Sequence, residues 1–267
     1  MPELPEVDTV VSGLKHNFLD KKIIDLKVYW PNIIKNYQDF KIKGEVITDV
    51  KRHGKYIFLI LSNNKTIVIH LRMTGQLLKD VALDKHCHLE FFFQNLEILR
   101  LVYRDIRKFG GFELIATDEI GRYLRDKKIA SDALSIQFNE FYRHLTSKNI
   151  IVKQVLLDQK VVAGLGNIYV DEILNRSFLS PSRIANSLTK EEAETIFIMM
   201  KEVLIASIKM RGTTFSDYVD LDNKKGRFQG FLRAYNQEGK KCFNCGNTIK
   251  KMKLVGRGTY YCDNCQV

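Results

Sequence analysis

Two Cys-x2-Cys pairs close the chain, Cys242 with Cys245 and Cys262 with Cys265, and sixteen residues separate them. Each pair puts two soft thiolates on one tight turn, and a linker of this length lets the turns face each other. That is the ligand set of a closed tetrahedral zinc site. A ribbon so short buries little core, so the metal supplies its folding free energy. Two disulfides are the other use of four cysteines. No signal sequence opens the chain, which sets the expectation of a reducing compartment, where zinc is favoured. One structural Zn2+ is expected on Cys242, Cys245, Cys262 and Cys265. The fifth cysteine, Cys87, lies in Lys85-His-Cys-His88. Successive strand residues point to opposite faces, so Cys87 is read as unpaired and not a ligand.

The charge around the cysteines says what this module meets. Residues 224–267 hold ten basic side chains against Glu238 and Asp263, a formal +8 of the +11 of the whole chain. A positive excess concentrated in one rigid module is the footprint of a nucleic-acid binder, whose phosphate contacts release counterions. An anionic membrane is the competing partner. No apolar stretch of spanning length and no basic amphipathic helix supports it, so no membrane is expected.

The pattern of the chain changes near residue 130. Val7, Val10, Val11, Leu14 and Phe18 recur at helical spacing, and Pro5 suits a first helical turn. Short β-branched and aromatic runs follow at 22–29, 45–52, 55–61, 66–72, 88–93, 98–103 and 111–116, parted by Asn-Asn, Gly or charged turns. They predict an antiparallel β-sandwich behind an N-terminal helix. Helical patterns then occupy 135–146, 152–158, 167–176 and 190–209. The fold class expected is α+β in three parts, 1–130, 131–225 and 226–267, a division that 267 residues at 45% hydrophobic content can support.

Chemistry is concentrated at the start and in two loops. Met1-Pro2-Glu3-Leu4-Pro5-Glu6 carries the small second residue that methionine removal needs. The new terminus would be a secondary amine, and an α-amino group titrates near about 7.7–8.0. Such an amine can attack a sugar carbon and form an iminium that acidifies the neighbouring hydrogen. The plain alternative is a helix entry, with Pro2 and Pro5 leading in and Glu3 and Glu6 at the positive end. Met73 and Phe109 read alone as core residues, but Arg107 and Lys108 before Phe109 point to an exposed loop tip. Gly164-Leu-Gly-Asn167 precedes a helical run, leaving free N–H groups for an anion.

Together, Pro2-Glu-Leu-Pro-Glu6, Gly164-Leu-Gly-Asn-Ile-Tyr169 and the four-cysteine ribbon, in this order and spacing, make the chain resemble the bacterial formamidopyrimidine-DNA glycosylase family from Met1 to Gln266. The resemblance implies a helix–two-turns–helix element in the helical part and a zinc finger at the end. It implies a base-excision enzyme acting as a monomer in the bacterial cytoplasm on duplex DNA with oxidised bases or abasic sites. It would release 8-oxoguanine and formamidopyrimidines and cleave the strand by β,δ-elimination. Carried over residue by residue, Pro2 is the nucleophile, Glu3 the general acid/base, Lys55 the phosphate-holding lysine and Arg257 the ribbon arginine. Met73, Arg107 and Phe109 match the trio that fills the void left by the flipped base. His86, Lys148 and Asn167 fall where the family contacts DNA.

Departures from the pattern are confined elsewhere. Arg72 replaces a usual glycine, Ile106 a common proline, and Ser216 an often basic residue in the loop 213–228. Residues 129–134 lack the Gly-Pro pair at the domain junction. The sister activity on oxidised pyrimidines, as in endonuclease VIII, is disfavoured by Leu4. A catalytically silent damaged-DNA binder is disfavoured by Pro2 and Glu3.

Overall fold

The computed structural model describes residues 2–267, so the expected loss of Met1 lies outside the described residues. Strands β1 (Ile23–Val28), β2 (Ile34–Lys35), β3 (Ile47–His53), β4 (Tyr56–Leu61), β5 (Lys65–His70), β6 (Gly75–Lys79), β7 (Cys87–Phe93), β8 (Leu99–Asp105) and β9 (Gly111–Ala116) follow helix α1 (Leu4–Phe18). Helices α2 (Ile120–Asp126), α3 (Phe138–Thr146), α4 (Val152–Leu157), α5 (Asn167–Arg176) and α6 (Lys190–Lys209) come next, then the hairpin β10 (Lys250–Leu254) and β11 (Arg257–Tyr261). Two compact units result. The first contains the residues up to Asp126 and takes back Met210–Arg227; the second contains Lys127–Lys209 and Phe228–Val267.

In the first unit a four-stranded sheet, order β1-β7-β8-β6, and a five-stranded sheet, order β2-β9-β5-β4-β3, share one apolar core. Ile57, Leu59 and Leu61 of β4 and Leu89, Phe91 and Phe93 of β7 point into it, the period-two signature of strands with one face inward. Helix α1 contributes Val7, Val10, Val11, Leu14 and Phe18, the stripe read from the sequence. Every strand pair is antiparallel except β2 with β9.

In the first unit three elements escaped the sequence pattern, β2, β6 and α2, and in the second the hairpin strands β10 and β11. Four of the five residues of β6 are buried, so polar–apolar alternation never arises. The two-residue β2 is too short to show any period, and α2 buries no residue at all. Met210–Arg227, read as the end of the helical part, packs with the sheets instead. Buried polar groups hold it there: Glu6 Oε1 accepts the Thr213 N–H at 2.7 Å, and the Leu221 carbonyl accepts the Lys79 N–H at 2.9 Å.

The second unit is built around α5, which is buried over almost its whole length. Its Glu172, with no exposed surface, accepts the N–H groups of Arg233, Ala234 and Tyr235 at 2.8–3.0 Å. A carboxylate this deep would be costly without such donors. One side chain thereby fixes the segment that leads to the cysteines. Glu172→Gln removes the charge from this anchor and should destabilise the second unit by about 2–3 kcal/mol, seen as earlier urea unfolding of the zinc-loaded protein. An unchanged midpoint would show that the carboxylate does not anchor the segment.

Candidate active site and zinc centre

The first unit presents its candidate residues at the entry of α1 and on turns between strands, and each place has an identifiable brace. Glu3 caps α1, and its N–H donates to Glu6 Oε2 at 2.8 Å in a Glu3–Glu6 capping box. Pro2, Glu3 and Glu6 are all buried. Glu6 therefore holds the helix entry with one oxygen and Thr213 with the other. Gly212, at φ +76°, makes this possible, since a Cβ there would stand 2.7 Å from Glu6 Oε1.

Lys55 is the second residue of the two-residue turn of the β3–β4 hairpin, where His53 pairs with Tyr56. Arg52 braces that turn, donating to Asp8 at 2.9 Å and to the Gly54 carbonyl at 3.1 Å. Lys55 is itself buried. Next to it, burial, aided by Arg72 and then Lys55, pushes the His70 imidazole down to about 3, so His70 is neutral at physiological pH. His70 Nδ1 consequently accepts the Arg72 N–H at 2.9 Å.

Met73, Arg107 and Phe109 are brought together at the tips of two neighbouring loops. The Arg107 guanidinium lies 4.5 Å from the Phe109 ring centre and donates to Met73 Sδ at 3.0 Å. Met73 is 38% exposed and Phe109 54%, which excludes core packing for either. Beneath them sits Asp105, fully buried. Its carboxylate accepts Thr74 Oγ at 2.5 Å, Tyr103 Oη at 3.0 Å, and the N–H groups of Arg107, Phe109 and Gly110 at 2.9–3.1 Å. Burial alone would raise its pKa, but these donors outweigh burial and hold it below the usual carboxylate value. The Tyr103 hydroxyl sits where a Cβ on Gly110 would come within 1.9 Å and one on Gly75 within 2.6 Å, so both loop ends need glycine.

Arg72 takes φ +55° and Lys108 φ +58° in these two loops. The first is the position where the family resemblance expects glycine, and left-handed backbone is the physical reason. Lys108 is anchored by its ammonium, 4.8 Å above the Trp30 ring. His86 is half-exposed, and its carbonyl accepts the Asp105 N–H at 2.9 Å, which places it at the root of the same loop. Asp105 and Glu6 are the residues that sequence reading missed. Asp105 adjoins an Arg-Lys-Phe-Gly loop and looks like one more surface acid; only its lack of exposure marks it.

In the second unit, Asn167 opens α5, and its amide donates to the Gly258 carbonyl at 2.9 Å. Asn167 Oδ1 is buried and accepts nothing. Gly164, at φ +114°, turns the chain into this helix, and Gln159 fastens the turn by accepting the Gly164 N–H and donating to the Leu165 carbonyl, both at 2.9 Å. A second link runs from the fully buried pair Lys153–Asp171, 2.6 Å apart, whose Asp171 accepts the Tyr260 N–H at 3.0 Å. Gly258 and Tyr260 are the second and fourth residues of β11, so both links register the strand that carries the exposed Arg257. Val255 and Gly256, at φ +50° and +71°, form the two-residue turn before it. Lys148 is exposed in the connection between α3 and α4 and is not gathered with these residues.

The sulfurs of Cys242, Cys245, Cys262 and Cys265 all lie within 4.8 Å of one another. Cys242 and Cys265 are 3.6 Å apart and Cys245 and Cys262 3.5 Å. A tetrahedron with Zn–S bonds of about 2.3 Å has edges of roughly 3.8 Å, whereas disulfide sulfurs sit about 2.05 Å apart. The donor set fits one zinc ion. Among the described residues no other His, Cys, Asp or Glu group could hold a metal, and Cys87 is a free, buried thiol. Chelating the metal should abolish hydrogen-exchange protection in β10 and β11 while leaving β4 and β5 protected. Persistent protection of the hairpin without zinc would show that the metal is not what folds it.

Comparisons with known proteins bear on the whole length. Residues 1–112 match the formamidopyrimidine-DNA glycosylase N-terminal domain, 129–219 the formamidopyrimidine-DNA glycosylase H2TH domain, and 239–267 a zinc finger found in FPG and IleRS. A formamidopyrimidine-DNA glycosylase of Carboxydothermus hydrogenoformans is 42% identical over the whole of both chains, and one of Lactobacillus acidophilus is 38% identical over 100% of this chain and 99% of its own. A Lactococcus lactis FPG mutant in complex with Fapy-dG-containing DNA superposes with a TM-score of 0.93 at 34% identity over 99% of each chain. MutM in complex with carbocyclic 8-oxo-G-containing DNA does so at 0.92, with the same identity and coverage. Every part described above thus has its counterpart in one set of relatives, and the chain belongs to the formamidopyrimidine-DNA glycosylase family.

Proposed function

We infer that the chain is a base-excision DNA glycosylase for oxidised purines, 8-oxoguanine and formamidopyrimidines, with β,δ-elimination lyase activity. The observation that carries this reading is the match of all three family domains, in order, along a chain that begins Pro2-Glu3. Solved relatives are complexes with Fapy-dG, 8-oxo-G or abasic-site DNA, which supports the same substrate class here. Residues 1–130, joined by the returning segment Met210–Arg227, serve as the catalytic part, the rest of 131–225 as the helix–two-turns–helix part and the remainder of 226–267 as the zinc finger. No helix among the described residues is long and apolar enough to cross a membrane. The enzyme works as a monomer on duplex DNA in the bacterial cytoplasm.

The chemistry divides among residues already placed. The Pro2 nitrogen, freed by removal of Met1, bonds to C1′ as the N-glycosidic bond breaks. Glu3 delivers a proton to the ring oxygen, the sugar opens, and an iminium links Pro2 to the lesion. That cation acidifies the C2′ hydrogen, whose loss expels the 3′ phosphate; a second elimination expels the 5′ phosphate. Lys55 and Arg257 hold these phosphates as point charge and fork. Asn167, at the start of α5, offers backbone N–H groups to a further phosphate, with His86 and Lys148 as peripheral contacts.

The flipped base leaves a gap, and Met73, Arg107 and Phe109 suit it. A methionine and a ring can wedge a base step, and a guanidinium can pair with the orphaned base. Their contacts with one another, above Asp105, support their acting as one group. Ordering before DNA arrives lowers the entropic cost of inserting them.

Duplexes each carrying a single lesion test the reading, together with Glu3→Gln. The wild-type protein should nick duplexes with 8-oxoguanine or formamidopyrimidine faster than those with an oxidised pyrimidine. Glu3→Gln should lower base release by roughly a hundredfold or more while leaving duplex affinity within a few-fold. Full base release by Glu3→Gln would remove its assigned role. A preference for oxidised pyrimidines would assign the sister activity, and tight binding with no nick would leave a silent scaffold.

A further inference from the structure

The second unit carries a cavity of about 680 Å³ that no residue of the proposed mechanism lines. Its apolar wall comes from Met199 and Val203 of α6 with Phe228 and Leu232 from the segment leading to the cysteines. Phe231 and Phe243 line it too, yet they are 54% and 72% exposed. Large rings left in water beside an apolar hollow mark an interaction site more often than an accident of packing.

The charge around the hollow is one-sided. Arg176, Arg233, Lys240 and Lys241 line it against the single acid Glu202. The Arg233 guanidinium lies 4.0 Å from the Phe243 ring centre, stacked rather than paired. Arg176 Nε is buried without a hydrogen-bond partner, although the other end of the same guanidinium donates to the Phe231 carbonyl at 3.0 Å. The Arg176 guanidinium also pairs with Glu172 Oε2 at 3.4 Å, so Lys240, Lys241 and the stacked Arg233 supply the positive charge that lines the hollow.

The cavity also lies at the far end of α5 from the expected phosphate site. Arg176 closes this ten-residue helix and Asn167 opens it, so about 14 Å of helix separates them. An apolar hollow of this size ringed by cations suits a short peptide segment whose carboxylates surround an apolar group. It does not suit the evenly spaced phosphates and successive flat bases of a single strand, which need a track of cations and stacking platforms.

We propose that this groove docks an acidic peptide segment of another protein, with one aromatic or branched apolar side chain entering the cavity and its carboxylates meeting Arg233, Lys240 and Lys241. The aromatic anchor supplies most of the affinity and the cations supply orientation and attraction at a distance. Binding therefore weakens as salt rises.

Fluorescence anisotropy on the full-length, zinc-loaded protein tests this. The probes are a labelled polyglutamate peptide with one central phenylalanine, the same peptide with alanine there, and a labelled undamaged single-stranded oligonucleotide. The phenylalanine peptide should bind saturably, and the alanine peptide roughly tenfold or more weaker. Phe231→Ala and Lys240→Glu should each weaken the phenylalanine peptide by a similar factor, and Phe231→Ala should do so with zinc content and nicking of lesion duplex unchanged. Phe231 is itself no zinc ligand, and the zinc content of the variant checks that the metal site is intact. Absence of saturable peptide binding would overturn the proposal, as would binding that neither variant alters. If the oligonucleotide binds and both variants abolish that binding, the site is a nucleic-acid groove and the peptide reading fails.

Discussion

Buried carboxylates that accept backbone N–H groups are the interaction on which the irregular parts of this structure depend. Five recur. Glu6 holds the N–H groups of Glu3 and Thr213, Asp105 those of Arg107, Phe109 and Gly110, and Glu172 those of Arg233, Ala234 and Tyr235. Asp171 holds the Tyr260 N–H, and Asp220 those of Asp222 and Lys224. A loop cannot satisfy its own donors as a helix or sheet does, and a charge-assisted hydrogen bond is roughly twice as strong as a neutral one. One carboxylate can thus fix several loop residues at once, provided it is out of competing water.

This device sits under the residues that the proposed chemistry needs. Pro2 and Glu3 stand at a helix entry clamped by Glu6, and Met73, Arg107 and Phe109 stand on loops clamped by Asp105. In the second unit the metal and the acids divide the work. Zinc holds the two cysteine turns together, while Asp171 and Asn167 register β11 through Tyr260 and Gly258. Sites that act on a strained, extruded nucleotide need positions fixed within a fraction of an ångström, and fixed loops meet that need better than mobile ones.

Most of the regular structure was legible in the chain. The strand runs of the first unit, the α1 stripe and the bounds of α5 and α6 follow from period two and period 3.6. The cysteine spacing announced the metal, because ligand geometry is local. What stayed hidden has one cause: it depends on burial that sequence does not show. Strand β6 lacks alternation because both its faces are covered. Met210–Arg227 returns to the sheets through Glu6, more than two hundred residues away. Asp105 reads as surface until Tyr103 and two glycines are seen to enclose it. Phe109 is the opposite case: aromatic residues are usually inside, but the basic pair before it marked a loop tip, and the ring is 54% exposed.

The central claim is that the amine of Pro2 forms the covalent link to the damaged nucleotide. Borohydride reduction during reaction with a duplex carrying 8-oxoguanine opposite cytosine, followed by peptide mapping of the trapped adduct, tests it most directly. The account predicts one adduct, on a peptide that begins with Pro2 and lacks Met1. An adduct carried by Lys55 or any other lysine, or strand cleavage with nothing trapped, would contradict it.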